Sequence, residues 1–202
     1  MNELLDRTAG ALRRNGFAVE IFATAREAAD YVLSQVAEGE TVGIGGSMTI
    51  RALGVGEKLR DAGHTVYWHW FTPGDPETLR SANRADVYLA SSNAVTSQGQ
   101  LVNIDGTGNR VAAMIYGPKR VYLVCGSNKL VDGGVPAAIA RIKEVACPQN
   151  ARRLGKQTSC ALQGRCDAAN CEKSMCNATA VLAHPTGGHP MTVILVEEEI
   201  GY

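Results

Sequence analysis

The 202 residues, 45% hydrophobic and 20% charged, are enough for one ordinary domain that buries a full core without disulfide staples. Lys and Arg together number 20, as do Asp and Glu, which excludes a general basic field for nucleic acid and an acidic tail. No apolar run approaches the roughly 20 residues of a membrane span, and the charged opening at 1–7 is neither a signal nor a transit peptide, so a cytoplasmic location is expected, where disulfides are rare.

In chain order, Leu4, Leu5, Thr8, Ala11 and Leu12 share one helical face before Gly16 stops that helix, and residues 17–21 form a strand. Thr8 is the polar member of that stripe, with a methyl that still packs. Thr24 with Glu27 reads as a capping box opening a second helix with Ala29, Val32, Leu33 and Val36 inward. Residues 41–44 make a short buried strand, 48–60 a helix aligned on Ala52, Val55 and Leu59, and 65–70 another strand. A short helix after the 73–76 segment leads to a strand at 86–90. Residues 101–104 and 111–115 are the expected arms of a hairpin-like excursion. Residues 120–125 form a fully buried strand, a helix runs from Pro136 to Ala146 with Ile139, Ile142 and Val145 inward, and 191–196 is the last strand. This βαβ rhythm predicts one α/β domain over 1–202, with a mostly parallel sheet sandwiched by helices and a cysteine-rich segment at 158–178.

In such a sheet ligands bind beyond the carboxyl ends of the strands. Three loops qualify. The first, Gly43-Ile44-Gly45-Gly46-Ser47-Met48-Thr49, lets backbone approach a ligand and offers free helix N–H groups to a phosphate or carboxylate, although its spacing is neither a dinucleotide fingerprint nor a P-loop. The second begins at Ser91-Ser92-Asn93, and its continuation to Arg110 carries three Asn, one Asp and one Arg, more polar chemistry than a chain reversal needs. The third is Gly126-Ser127-Asn128-Lys129. Lys129 and Arg110 are candidates for gripping an anion, Asn93, Asn103, Asn109 and Asn128 for reading hydroxyls or carbonyls, and Asp105 for a carboxylate base. The same residues permit a structural reading in which Asp105 and Arg110 form an internal ion pair. Gly45, Gly46, Ser47, Thr49 and Ser92 complete the expected ligand-binding set.

Gly45-Gly46-Ser47-Met48-Thr49, Ser92-Asn93-Ala94-Val95-Thr96, the run from Gly99 to Arg110, Tyr116-Gly117-Pro118-Lys119 and Gly126-Ser127-Asn128-Lys129 resemble the lactate-utilisation (LUD) domain family, over most of the chain. The resemblance implies a fold similar to the sugar-phosphate isomerase and CoA-transferase group. It also implies a link to bacterial L-lactate oxidation beside iron–sulfur partner proteins. It does not deliver a reaction, because fold analogy alone carries none.

Cys160, Cys166, Cys171 and Cys176 are separated by five, four and four residues, and four thiolates in a cytosolic chain suit tetrahedral zinc or an iron–sulfur cluster. The spacing matches neither a zinc ribbon nor a ferredoxin run, so disulfides or free thiols stay open. The single-domain branch of the family carries a similar cysteine tail, and the resemblance favours [4Fe–4S] over zinc. His184 and His189, each beside a proline in a glycine-rich loop, read as surface residues. His64 and His69 read as structural, Trp68 and Trp70 as packed on one face of their strand, and Cys125 and Cys147 as small buried apolar residues. Two functions follow. One is binding of a small anionic metabolite with an iron–sulfur cofactor, and, if an enzyme, an oxidoreductase component or isomerase/lyase-type acid–base chemistry. The other is a non-enzymatic accessory or electron-transfer subunit, or a zinc-stabilised regulator. A homodimer is the default assembly.

Overall fold

A computed structural model describes residues 3–202; Met1 and Asn2, part of the charged opening segment, lie outside the described residues. The first helix, α1 (Glu3–Arg14), and strand β1 (Ala18–Phe22) precede α2 (Ala25–Ser34), whose capping box is formed as expected, with Thr24 and Glu27 each accepting from the other's main-chain N–H. Strand β2 (Val42–Ile44) is followed by α3 (Met48–Leu53) and α4 (Val55–Asp61). These replace the single helix expected at 48–60, because Gly54 sits in the left-handed region at φ 64° and breaks it. Strand β3 (Val66–Trp68) is shorter than expected: Phe71 N–H donates back to the Trp68 carbonyl and turns the chain. Then come α5 (Pro76–Ala82), β4 (Val87–Ala90), β5 (Ala94–Thr96), β6 (Leu101–Asp105), α6 (Asn109–Ile115), β7 (Arg120–Gly126) and β8 (Leu130–Val131).

Helix α7 (Val135–Arg141) continues through a π-helical turn (Ile142–Ala146) into α8 (Cys147–Arg153), seven residues beyond the expected end at Ala146. Pro148 lacks an N–H, and the wider turn, closed by Cys147 N–H to the Ile142 carbonyl, accommodates it without stopping the helix. A short α9 (Ser159–Gln163) and β9 (Ala178–Leu182) flank the cysteine segment before β10 (Met191–Val196).

Six strands form one all-parallel sheet in the order β1-β10-β7-β4-β2-β3. The mostly parallel α/β sandwich is therefore present. Strands buried on both faces need continuous apolar runs, and β10 shows how they divide: Val193 and Leu195 enter one core, Ile194 and Val196 the other. The second core packs α2, α3 and α4. The first packs α1 and α6, and also a second sheet, β8-β5-β6-β9, that the sequence reading did not anticipate. The far side of that sheet, Ala94, Val102 and Ile104, is covered by Ala138, Ile142 and Ala146.

The expected hairpin exists with different arms. β5 and β6 pair antiparallel around a turn at Gly99, and 111–115 is helix instead of strand. No side chain caps α6 from its Gly108 cap position; the Asp105 carboxylate does so from further upstream, accepting from the N–H groups of Arg110 and Val111 at 3.2 Å each.

Candidate functional site

The loops after β2, β4 and β7 converge at the carboxyl edge of the parallel sheet, on a cleft of about 780 Å³. Gly46, Ser47, Ser91, Ser92, Asn93, Asp105, Asn109, Arg110 and Lys129 line it. Gly45 lies beneath, where an added Cβ would stand 2.7 Å from the Tyr88 hydroxyl. Thr49, Asn103 and Asn128 do not reach the cleft surface. Thr49 donates to the Ile200 carbonyl, and Asn128 bonds both Ile200 N–H and the Gly201 carbonyl, so these two hold the terminal segment that brings Tyr202 to the cleft.

Asn103 belongs to a buried network built around Arg110. One guanidinium nitrogen donates to the Ser91 carbonyl at 3.0 Å and the Asn103 side-chain oxygen at 2.6 Å; the other donates to the Asn93 side-chain oxygen at 2.9 Å and the Ile104 carbonyl at 3.1 Å. Asn93 and Asn103 also cross-bond β5's entrance to β6, through Asn93 N–H to Asn103 and Ile104 N–H to Asn93. The guanidinium thus forms no ion pair with Asp105. That carboxylate accepts three main-chain N–H groups, those of Gly106, Arg110 and Val111, while lining the cleft. Replacing Asp105 with Asn turns an NH₂ toward those donors, and a loss of about 1–2 kcal/mol in urea unfolding is expected. Catalytic use of Asp105 requires a further fall in turnover, measured well below the melting temperature where the variant is folded.

Lys129 is 3% exposed, and its ammonium donates to the Ser91 hydroxyl at 3.0 Å and the main-chain oxygen of Tyr202 at 3.3 Å. Burial, with the charges of Arg141 and Arg110 in support, pushes its pKa down to about 8. Arg141 sits behind it, donating to the carbonyls of Asn128 and Asn93.

The cleft also contains residues that sequence reasoning assigned to packing or did not single out. His69 lies in the turn after β3, with its ring Nδ1 buried and unpartnered; burial first, then Arg153, lowers its pKa. Trp70 stands beside it under two guanidinium groups, Arg51 at 5.4 Å and Arg153 at 5.5 Å from the ring centre, and Trp68 packs against it at 4.7 Å. The Tyr202 hydroxyl accepts from Arg153 and donates to Asn150. Nothing local marks these residues, since each reaches the cleft through a turn, a helix or the terminal segment, far from the dense motif in sequence. His184 is exposed, but His189 is buried against the Met114 carbonyl and not on the surface as expected, because the 183–190 loop folds back over α6.

Among the cysteines, Cys125 is fully buried in β7, as expected. Cys147 is not a simple packing residue. It lines the cleft and its sulfur lies 3.5 Å from that of Cys176, which lines it too. The contact holds the Cys176 thiol low, near pKa 6, and raises that of Cys147. Cys160 is buried against the Thr158 hydroxyl, Cys166 is exposed and Cys171 half-buried. A zinc or iron–sulfur centre needs at least three or four convergent ligands. Among the described residues no three His, Cys, Asp or Glu side chains are so gathered.

A parallel α/β sandwich with a cation-floored cleft at its carboxyl edge defines the class. The family profile of the LUD domain matches residues 5–196, and the chain belongs to that family. Among solved structures it is similar to a DUF162 family protein from Deinococcus radiodurans, with a TM-score of 0.57 and 17% identity over 96% of each chain, a likeness of fold. No curated protein matches it. No helix among the described residues is long and apolar enough to cross a membrane.

Proposed function

We propose that this LUD-domain protein acts in the cytoplasm, in a process linked to lactate utilisation, and binds a small anionic metabolite, a hydroxy acid or a phosphorylated compound, in the cleft. One observation carries the reading. The side chains of Arg110 and Lys129 at the cleft floor and of Arg141 behind them bond to main-chain, amide and hydroxyl oxygens, and no Asp or Glu side chain is paired to any of them. Buried charge without a counter-charge is costly, and an anionic ligand supplies what the protein omits.

The roles divide by available donors. Arg110 has all four terminal guanidinium N–H groups engaged, so it positions the 91–105 loops and lends its charge. Lys129 keeps a third N–H for the anion. Asp105, at the cleft wall, is assigned to take or return a proton on the carbon beside the anion, a role that supports isomerase- or lyase-type acid–base chemistry over that of an oxidoreductase component. Thermal unfolding against lactate, other 2-hydroxy acids and sugar phosphates tests the binding. A ligand at 100 times its Kd stabilises by about 2.7 kcal/mol, and Lys129→Met is expected to lose that response. If none of these anions raises the melting temperature, the anion reading fails and an accessory subunit is favoured.

A further inference from the structure

We infer that Cys147 and Cys176 form a reactive dithiol on the cleft wall, a site of reversible thiol–disulfide exchange with small-molecule disulfides. The pair comes from two separate segments: Cys147 is the first residue of α8, and Cys176 lies in the approach to β9, 29 positions on. Their sulfurs, 3.5 Å apart, must close by about 1.5 Å to reach disulfide bonding distance, a side-chain adjustment. Both border a cleft that a small solute can enter. The other thiols lack one or both of these properties. Cys125 and Cys160 are buried, and neither Cys166 nor Cys171 lines the cleft.

The exchange balances in two steps. The thiolate of one cysteine attacks a sulfur of the disulfide R–S–S–R, forming a mixed disulfide and releasing one R–S⁻, which takes up a proton. The second cysteine, giving up its own proton, then attacks the first cysteine's sulfur, closing Cys147–Cys176 and releasing the second R–SH. Two protein thiols are oxidised and R–S–S–R is reduced to two thiols. The new bond would tie the start of α8 to the entrance of β9, along one wall of the cleft. This inference is independent of what the cleft binds.

The test uses the full chain, reduced and then exposed to oxidised glutathione. Intact mass is expected to fall by about 2 Da, two fewer thiols to be alkylated, and peptide mapping to join Cys147 to Cys176. Cys171→Ser should behave as the unaltered chain, whereas Cys147→Ser and Cys176→Ser should each stop at a glutathione adduct. Three results overturn the inference: an adduct on the unaltered chain that never resolves, an internal bond through Cys160, Cys166 or Cys171, or iron or zinc in anaerobically purified protein that shields both sulfurs from alkylation until chelated. The first two readouts need no variant, so a substitution that impairs folding does not obscure the answer.

Discussion

Affinity for the proposed anionic ligand is expected to fall about tenfold for each pH unit above 8, as Lys129 surrenders the proton that binding requires. The ordinary lysine value of 10.5 is pushed down to about 8, chiefly by burial. Between these two values the unfolded chain holds a proton on Lys129 that the folded chain has released. Raising the pH from 8 toward 10.5 therefore stabilises the ligand-free protein, by about 3 kcal/mol in total if Lys129 acts alone, and falling pH removes that stability until it levels off below 8. Ligand works in the opposite direction: its negative charge draws the Lys129 pKa up, so binding near pH 9 takes up a proton. Titration calorimetry in two buffers of different ionisation heat measures that uptake. In Lys129→Met the uptake should vanish and the pH dependence of affinity flatten. Proton-neutral binding with pH-independent affinity would remove Lys129 from the anion site.

Arg110→Met is expected to cost about 4 kcal/mol in urea unfolding, the larger effect on the fold. The substitution removes no carboxylate pair; it orphans the Ser91 and Ile104 carbonyls and the side-chain oxygens of Asn93 and Asn103, acceptors in the interior that then lose a charged donor. Arg110→Lys should recover little, because one ammonium cannot fork to two nitrogens' worth of partners. Amide hydrogen exchange gives a local readout. The Ile104 N–H, held by Asn93, should exchange faster in the variant while amides of β10 keep their order relative to one another. A loss under about 1 kcal/mol would show that the network reorganises around water instead.

The parallel sheet was legible because its strands are buried on both faces and so read as apolar runs; β7 and β10 are the clearest. The dense polar motif stood out because its chemistry exceeds what a turn needs, and Asn93, Asp105, Asn109 and Arg110 from it line the cleft. What escaped is non-local. Val111 to Ile115 is a short apolar run that suits strand or helix equally, and helix is favoured here by the Asp105 carboxylate, which caps a helix that starts at Asn109, directly after Gly108. β9 emerges from a segment whose cysteines draw the eye, and its partner β6 is some eighty positions earlier, so the second sheet has no signature in any local window. Arg141 sits on a helix where a basic residue reads as solvated, and Cys147 between Ala146 and Pro148 reads as packing. Only the return of the chain at Cys176 gives that thiol a companion.

The place of β10 in the sheet has a consequence for how the chain is made. It lies between β1 and β7, so the strand nearest the start of the chain has no hydrogen-bonded neighbour in the sheet until the stretch 191–196 has been synthesised. On a ribosome the β3-β2-β4-β7 array can assemble early, but its β7 edge stays open and β1 waits on α1 and α2 until the late strand slides between them. Pairing of this sequence separation is slow and leaves apolar edges uncovered meanwhile. Nascent chains stalled before residue 191 should therefore be the species that chaperones hold, and their release should coincide with the emergence of Met191 to Val196.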